Sequence, residues 1–107
     1  MSFDAHDRSL DLIRCLNGVL RRIRSRNRSL CNQLERALAS IPLNLAEGRQ
    51  RVGRDRLQLY RVAAGSAAET SSALQVAVAF GYCTREELEP ALDLLDRVTA
   101  MLYRLTH

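Results

Sequence analysis

Few residues in this chain have both the type and the spacing to do chemistry, and Glu47 and Glu69 lead them. Glu47 stands three residues after Asn44 and four before Arg51, while Arg61, Gly65 and Glu69 follow one another at four-residue steps. On helices such steps place side chains on one face. Two carboxylates meeting across a helix seam would be the only route here to metal binding or hydrolysis. Nothing else in the chain supports that route. His6 and His107 lie near the ends and belong to no ligand spacing. The Glu-x-x-His pairs of di-iron bundles are missing, as are a nucleophile elbow, a phosphate-binding loop and an HExxH zinc motif. No catalysis, metal or cofactor is therefore expected. The more economical reading of Asn44, Glu47, Gly48, Arg61, Gly65, Ser66 and Glu69 is structural. They form a half-buried polar seam that fixes helix register, with glycines admitting the facing backbone and each carboxylate needing a partner.

The arginines offer a second kind of chemistry. All sixteen basic residues are Arg, a side chain suited to bidentate phosphate contacts. Residues 1–61 hold thirteen Arg against six acids, whereas residues 62–107 hold three against six. Such asymmetry between halves points to an anionic partner. Two groups stand out: Arg21, Arg22, Arg24, Arg26 and Arg28, then Arg49, Arg51, Arg54 and Arg56. No aromatic residue interleaves with either group in sequence, so contacts to phosphates are expected and base stacking is not.

The elements that must position these groups are helices. At 107 residues the chain suits a single domain, residues 1–107, and five aromatics without Trp leave Leu, Ala and Val to fill the core. Three widely spaced cysteines, Cys15, Cys31 and Cys83, read as reduced thiols, with Cys15 and Cys31 in or near the core. The acidic start MSFDAHD is unlike a signal peptide, and no apolar run is long enough to span a membrane, so a cytosolic location is expected.

Apolar residues at alternating three- and four-residue steps predict four helices. The first runs from about Asp4 to Arg24, with Leu12, Leu16, Val19, Leu20 and Ile23 inward, followed by a turn over Ser25–Ser29. The second covers Arg28 to Arg51 on a stripe of Leu30, Leu34, Ala37, Ile41, Asn44 and Gly48, with Pro42 expected to bend it. The third runs from about Asp55 to Phe80 with Leu57, Tyr60, Ala64, Ala67, Ser71, Leu74 and Val78 inward, and Gly81 closes it. Thr84 and Glu87 form a capping box for the fourth, which carries Leu88, Ala91, Leu95, Val98, Leu102 and Leu105. Pro90 is expected to shift its first turn.

Short turns between four such helices predict an all-α, up-and-down four-helix bundle. The two arginine-rich turns then lie at opposite ends of it. Leu43, Leu59 and Val76 exceed what one core consumes, which predicts an oligomer.

Two motifs go beyond generic bundle patterning: Ser40-Ile41-Pro42-Leu43-Asn44-Leu45-Ala46-Glu47-Gly48 followed by Arg51, and Ala63-Ala64-Gly65-Ser66 followed by Glu69. With Gly81-Tyr82 downstream, they resemble the four-helix bundle family encoded in bacterial 23S ribosomal RNA intervening sequences. A cousin of that family is the accessory variability protein of diversity-generating retroelements. The resemblance implies a left-handed bundle that assembles into a closed ring, commonly a homopentamer, and in the retroelement cousins contact with nucleic acid. The leading expectation is a non-enzymatic, RNA-binding adaptor acting through its arginine-rich ends. The alternative is a protein–protein scaffold whose basic ends meet acidic partners.

Overall fold

A single residue, Asn27, separates the first two helices. The computed structural model describes residues 3–107 and contains α1 (Asp4–Arg26), α2 (Arg28–Arg49), α3 (Gly53–Ala79) and α4 (Arg85–Thr106), with no strand among the described residues. Asn27 is extended (φ −155°, ψ 91°), and its side-chain oxygen accepts from the Leu30 amide at 3.0 Å. Its own amide donates to the Ile23 carbonyl at 2.7 Å. One residue thus closes α1 and caps α2. The longer turn expected over Ser25–Ser29 is helical on both sides of it.

α2 runs unbroken through Pro42, which is buried within it. The α2–α3 turn is short as well. Arg56 donates from Nε to the Gly48 carbonyl at 3.1 Å, which also accepts from the Arg51 amide at 3.0 Å, and from Nη2 to the Arg49 carbonyl at 3.0 Å, so its side chain holds the end of α2. α3 begins at Gly53, whose φ of +59° suits glycine, two residues before the expected start. It ends as expected. Gly81 has φ +78°, its amide donates to Val78 and the Tyr82 amide donates to Ala77, both within 3.0 Å. The Thr84–Glu87 capping box is present, and α4 starts at Arg85 despite Pro90, so the expected shift of the first turn does not occur. Pro90 is the sixth residue of α4, so the helix continues through it without the one hydrogen bond that an amide there would make to the Glu86 carbonyl.

α1 packs on α2 and α4, and α3 packs on α2 and α4, with α2 against α3 the most extensive contact. Consecutive helices run in opposite directions. The start of α1 lies beside the end of α4 (Phe3 and Asp4 near Met101 and Arg104), while Arg22 near the end of α1 reaches Glu87 at the start of α4. The bundle measures 42 × 23 × 22 Å. Its core is the expected leucine set, including Leu12, Leu16, Leu34, Ile41, Leu74, Leu88, Val98 and Leu102, all essentially inaccessible. Leu105 is 36% exposed and lies outside it. Cys31 is buried with its Sγ 3.3 Å from the Leu20 carbonyl, but Cys15 is exposed, not near the core as expected. Among the described residues no helix is long and apolar enough to cross a membrane.

α3 is rotated relative to expectation. Ala63, Ser66, Thr70, Ala73 and Ala77 are buried beside Tyr60, Ala67 and Leu74, whereas Leu57, Ala64, Ser71 and Val78 are only half-buried. In an Ala/Ser-rich helix the apolar contrast between faces is small, so periodicity alone phases it poorly. The hydroxyls on the buried face are satisfied: Thr70 Oγ1 donates within α3 to the Ser66 carbonyl at 2.8 Å, and Ser66 Oγ donates across to Ser40 Oγ of α2 at 2.7 Å.

Candidate nucleic-acid interface

The first cluster of arginines surrounds Asn27, as the helix ends dictate. The fold brings the α3–α4 turn and the start of α4 to the same end. Several of the cations find partners there. Arg22 Nη2 lies 2.5 Å from Glu87 Oε2, and Arg24 pairs with Glu35 on α2. Arg26 lies over the ring of Tyr82, 5.5 Å from its centroid. The Tyr82 hydroxyl in turn accepts from Asn27 Nδ2 at 3.3 Å, and Phe80 stacks on Tyr82 with centroids 5.3 Å apart and planes within 13°. Arg21 and Arg28 are exposed and have no acidic partner among the described residues. Arg28 borders an open depression of about 660 Å³ lined also by Ser29, Asn32, Glu35 and Arg36.

Glu87 does two jobs here. Its Oε1 accepts from the Thr84 amide at 3.0 Å while Oε2 faces Arg22. The hydrogen bond from Arg22, then those from Thr84, hold its carboxyl down to about 2, and the same pairing raises Arg22. A carboxyl with a depressed folded-state pKa stabilises the fold above its ordinary value, near 4.5, and loses that contribution as pH falls toward 2. Glu87→Gln keeps an oxygen for the cap but not the charge. Its melting temperature is expected to lie below wild type at pH 7, with the gap closing between about pH 4.5 and 2. A gap independent of pH, followed by circular dichroism, would refute this role for the charge. Cys83 beside this pair is buried, and burial raises its thiol pKa, so it stays protonated near neutrality.

The second cluster lies at the opposite end, where α2 stops and α3 starts. Arg51 pairs with Glu47 at 3.0 Å, Arg56 caps α2, and Arg49 lies over the Phe3 ring at 5.3 Å. Phe3 also meets Tyr60, with centroids 6.1 Å apart. Arg54 is exposed without an acidic partner among the described residues. Thus at each end an aromatic ring lies under an arginine. No aromatic interleaves with these arginines in sequence, but the fold brings rings to them from distant segments, Tyr82 reaching Asn27 from 55 residues away.

The motif residues divide differently from expectation. Gly48 is buried, with the Tyr60 ring so close that an added Cβ would lie 2.7 Å from Cε1, so it does admit the facing helix. Asn44 is half-buried and donates to the Ser40 carbonyl at 2.8 Å and to Ser40 Oγ at 2.9 Å. Ser66 joins the same hydroxyl from α3. The polar seam therefore consists of Ser40, Asn44 and Ser66. Glu47, Arg61, Gly65 and Glu69 are exposed, and nothing lies within 4 Å of a Cβ built on Gly65, so these four do not belong to the seam. The sequence reading overlooked Ser40 as the hub, although it opens the first motif. Among the described residues no three His, Cys, Asp or Glu side chains gather into a metal-holding group.

Fold and surface together define a small all-α bundle with arginine-rich, ring-backed ends and a short serine–asparagine seam between α2 and α3. The profile of the 23S rRNA-intervening sequence protein family matches residues 3–104, and the chain belongs to that family. The solved structures similar to it include a protein of unknown function from the S23 ribosomal protein family of Bacteroides thetaiotaomicron. That structure superposes with a TM-score of 0.84 at 24% identity, covering 95% of this chain and 97% of that one. No curated protein matches this chain.

Proposed function

We propose that this protein is a non-enzymatic, cytosolic homo-oligomer that binds RNA through its arginine-rich ends. The observation that carries this reading is the state of the end arginines: Arg21, Arg28 and Arg54 have no acidic partner among the described residues. Cations held this way at helix ends are free to meet phosphates, and phosphate contacts release counterions. Glu47 and Glu69 are both exposed, and Glu47 pairs with Arg51 on its own side of the α2–α3 turn. The test is a fluorescence-anisotropy titration of a short unrelated RNA at two salt concentrations. With three to five phosphate contacts, affinity is expected to fall roughly ten- to hundredfold from about 50 to about 200 mM salt. Absence of binding at the lower salt would overturn the reading.

The oligomer rests on a separate observation. Leu43 is 67% exposed, Val62 40% and Val76 38%, with Leu59 half-buried, so α2 and α3 carry apolar side chains that one bundle does not use. We read them as contacts between copies in a ring of left-handed bundles, with five as the number that family resemblance suggests. A monomer by light scattering at micromolar concentration would refute it.

A further inference from the structure

We infer that Phe80 is a stacking platform for an unpaired RNA base, which makes the α1–α2 end the one that distinguishes single strands from duplex. This deepens the RNA reading and rests on it. Phe80, the residue that closes α3, is 61% exposed, more than Val62 (40%) or Val76 (38%) on the same helix. It is held in place from behind rather than loosely presented. Its ring lies nearly parallel to Tyr82 at 5.3 Å, Tyr82 is fixed by Arg26 at 5.5 Å and by the Asn27 amide at 3.3 Å, and Gly81 locks the turn between the two aromatics. A parallel stack that ends in an open aromatic face offers the next layer to another flat ring. Arginines flank it on the same end: Arg26 belongs to the stack, and Arg21 and Arg28 lack acidic partners. An aromatic surface beside guanidinium groups fits a base with its adjoining phosphates, and fits a duplex poorly because its bases are already stacked. An acidic protein segment would meet the arginines but has no need of a flat open face.

The chain contains no Trp, so Phe80→Trp installs a single reporter. Its fluorescence is expected to be quenched by a short oligoadenylate and unchanged by an abasic ribose-phosphate strand of equal length. In anisotropy titrations Phe80→Ala is expected to lose roughly five- to a hundredfold in affinity for oligoadenylate. Its salt slope and its affinity for the abasic strand should stay at wild-type values, because no phosphate contact is removed. Exposure of Phe80 means the variants are expected to fold, which far-UV circular dichroism checks. A wild-type affinity ratio between the two strands in Phe80→Ala would overturn the platform while leaving the RNA reading intact. Failure of the wild-type protein to bind either strand would overturn both. A change of oligomeric mass in Phe80→Ala, with unaltered RNA affinity, would assign the ring to contacts between copies and overturn the proposal.

Discussion

Gly48→Val is expected to lower the melting temperature by roughly 10–20 °C, corresponding to a loss of about 3 kcal/mol in a domain of this size. Two effects oppose each other at this position. Any side chain gains helix propensity over glycine, about 1 kcal/mol for alanine but less for valine, whose branched Cβ is stiff in a helix. Against this, the first carbon would lie 2.7 and 2.9 Å from two ring atoms of Tyr60 and 3.3 Å from Leu59 Cβ. Tyr60 is itself 6% exposed and backed by Phe3, so its ring has little room to retreat. For alanine the gain offsets only part of the overpacking, and a net loss of up to about 2 kcal/mol is expected. For valine the overpacking wins. Gly18 serves as the control. Nothing lies within 4 Å of its added Cβ, so Gly18→Ala should gain about 1 kcal/mol from propensity alone. Thermal unfolding at fixed protein concentration reads all three, since an oligomer makes the midpoint concentration-dependent. A Gly48→Val protein that melts within a few degrees of wild type would show that α2 and α3 are not closely packed there.

Two triple variants of equal net charge should separate in RNA binding. One replaces Arg21, Arg28 and Arg54 with alanine; the other replaces Arg22, Arg24 and Arg51. The first set lacks acidic partners among the described residues, whereas the second pairs with Glu87, Glu35 and Glu47. A paired guanidinium must give up its carboxylate to meet a phosphate, and its attraction for polyanion is already screened by that neighbour. Removing the unpaired set is expected to lower the salt slope by about 2, which at low salt translates into a loss of tenfold or more in affinity. The paired set should change the slope by less than half as much. Its stability loss should also be small, because exposed ion pairs contribute only about 0–1 kcal/mol each. Equal losses in the two triples would mean that total charge, rather than placed arginines, drives association. The assignment of particular residues would then fall.

Within a helical turn or two, residues declare themselves. Apart from Leu105, the leucines on the stripes of α1, α2 and α4 face the core as their spacing predicts. The Thr84–Glu87 box and Gly81 mark the boundary between α3 and α4 because capping is chemistry between residues three to five apart. Gly48 was legible for the same reason: a glycine on an apolar stripe means close approach. The Ser40–Arg51 and Ala63–Glu69 motifs also carried the family. Asn27 lay in the expected polar turn as a candidate cap and does cap α2, but that it alone serves both helices was not legible, because such a residue looks like any other in a polar turn.

What the sequence alone determined, then, was four amphipathic helices, their caps and the family; what the tertiary structure decided was which side chains meet. The rotation of α3 moved Glu69, Arg61 and Gly65 to the surface and kept Ser66 alone of its motif's polar residues in the seam, and its Ala/Ser-rich faces differ too little in hydropathy for periodicity to choose between them. The partners of Arg22 and Arg26 depend on where α4 and the α3–α4 turn land against α1, contacts that no local spacing encodes. The same packing gathered Phe80 and Tyr82 onto an arginine-rich end that in sequence contains no aromatic at all. Local hydrogen bonding sets helices and caps one turn at a time. The surface chemistry arises from the helices' mutual rotation, which close packing of the whole core selects.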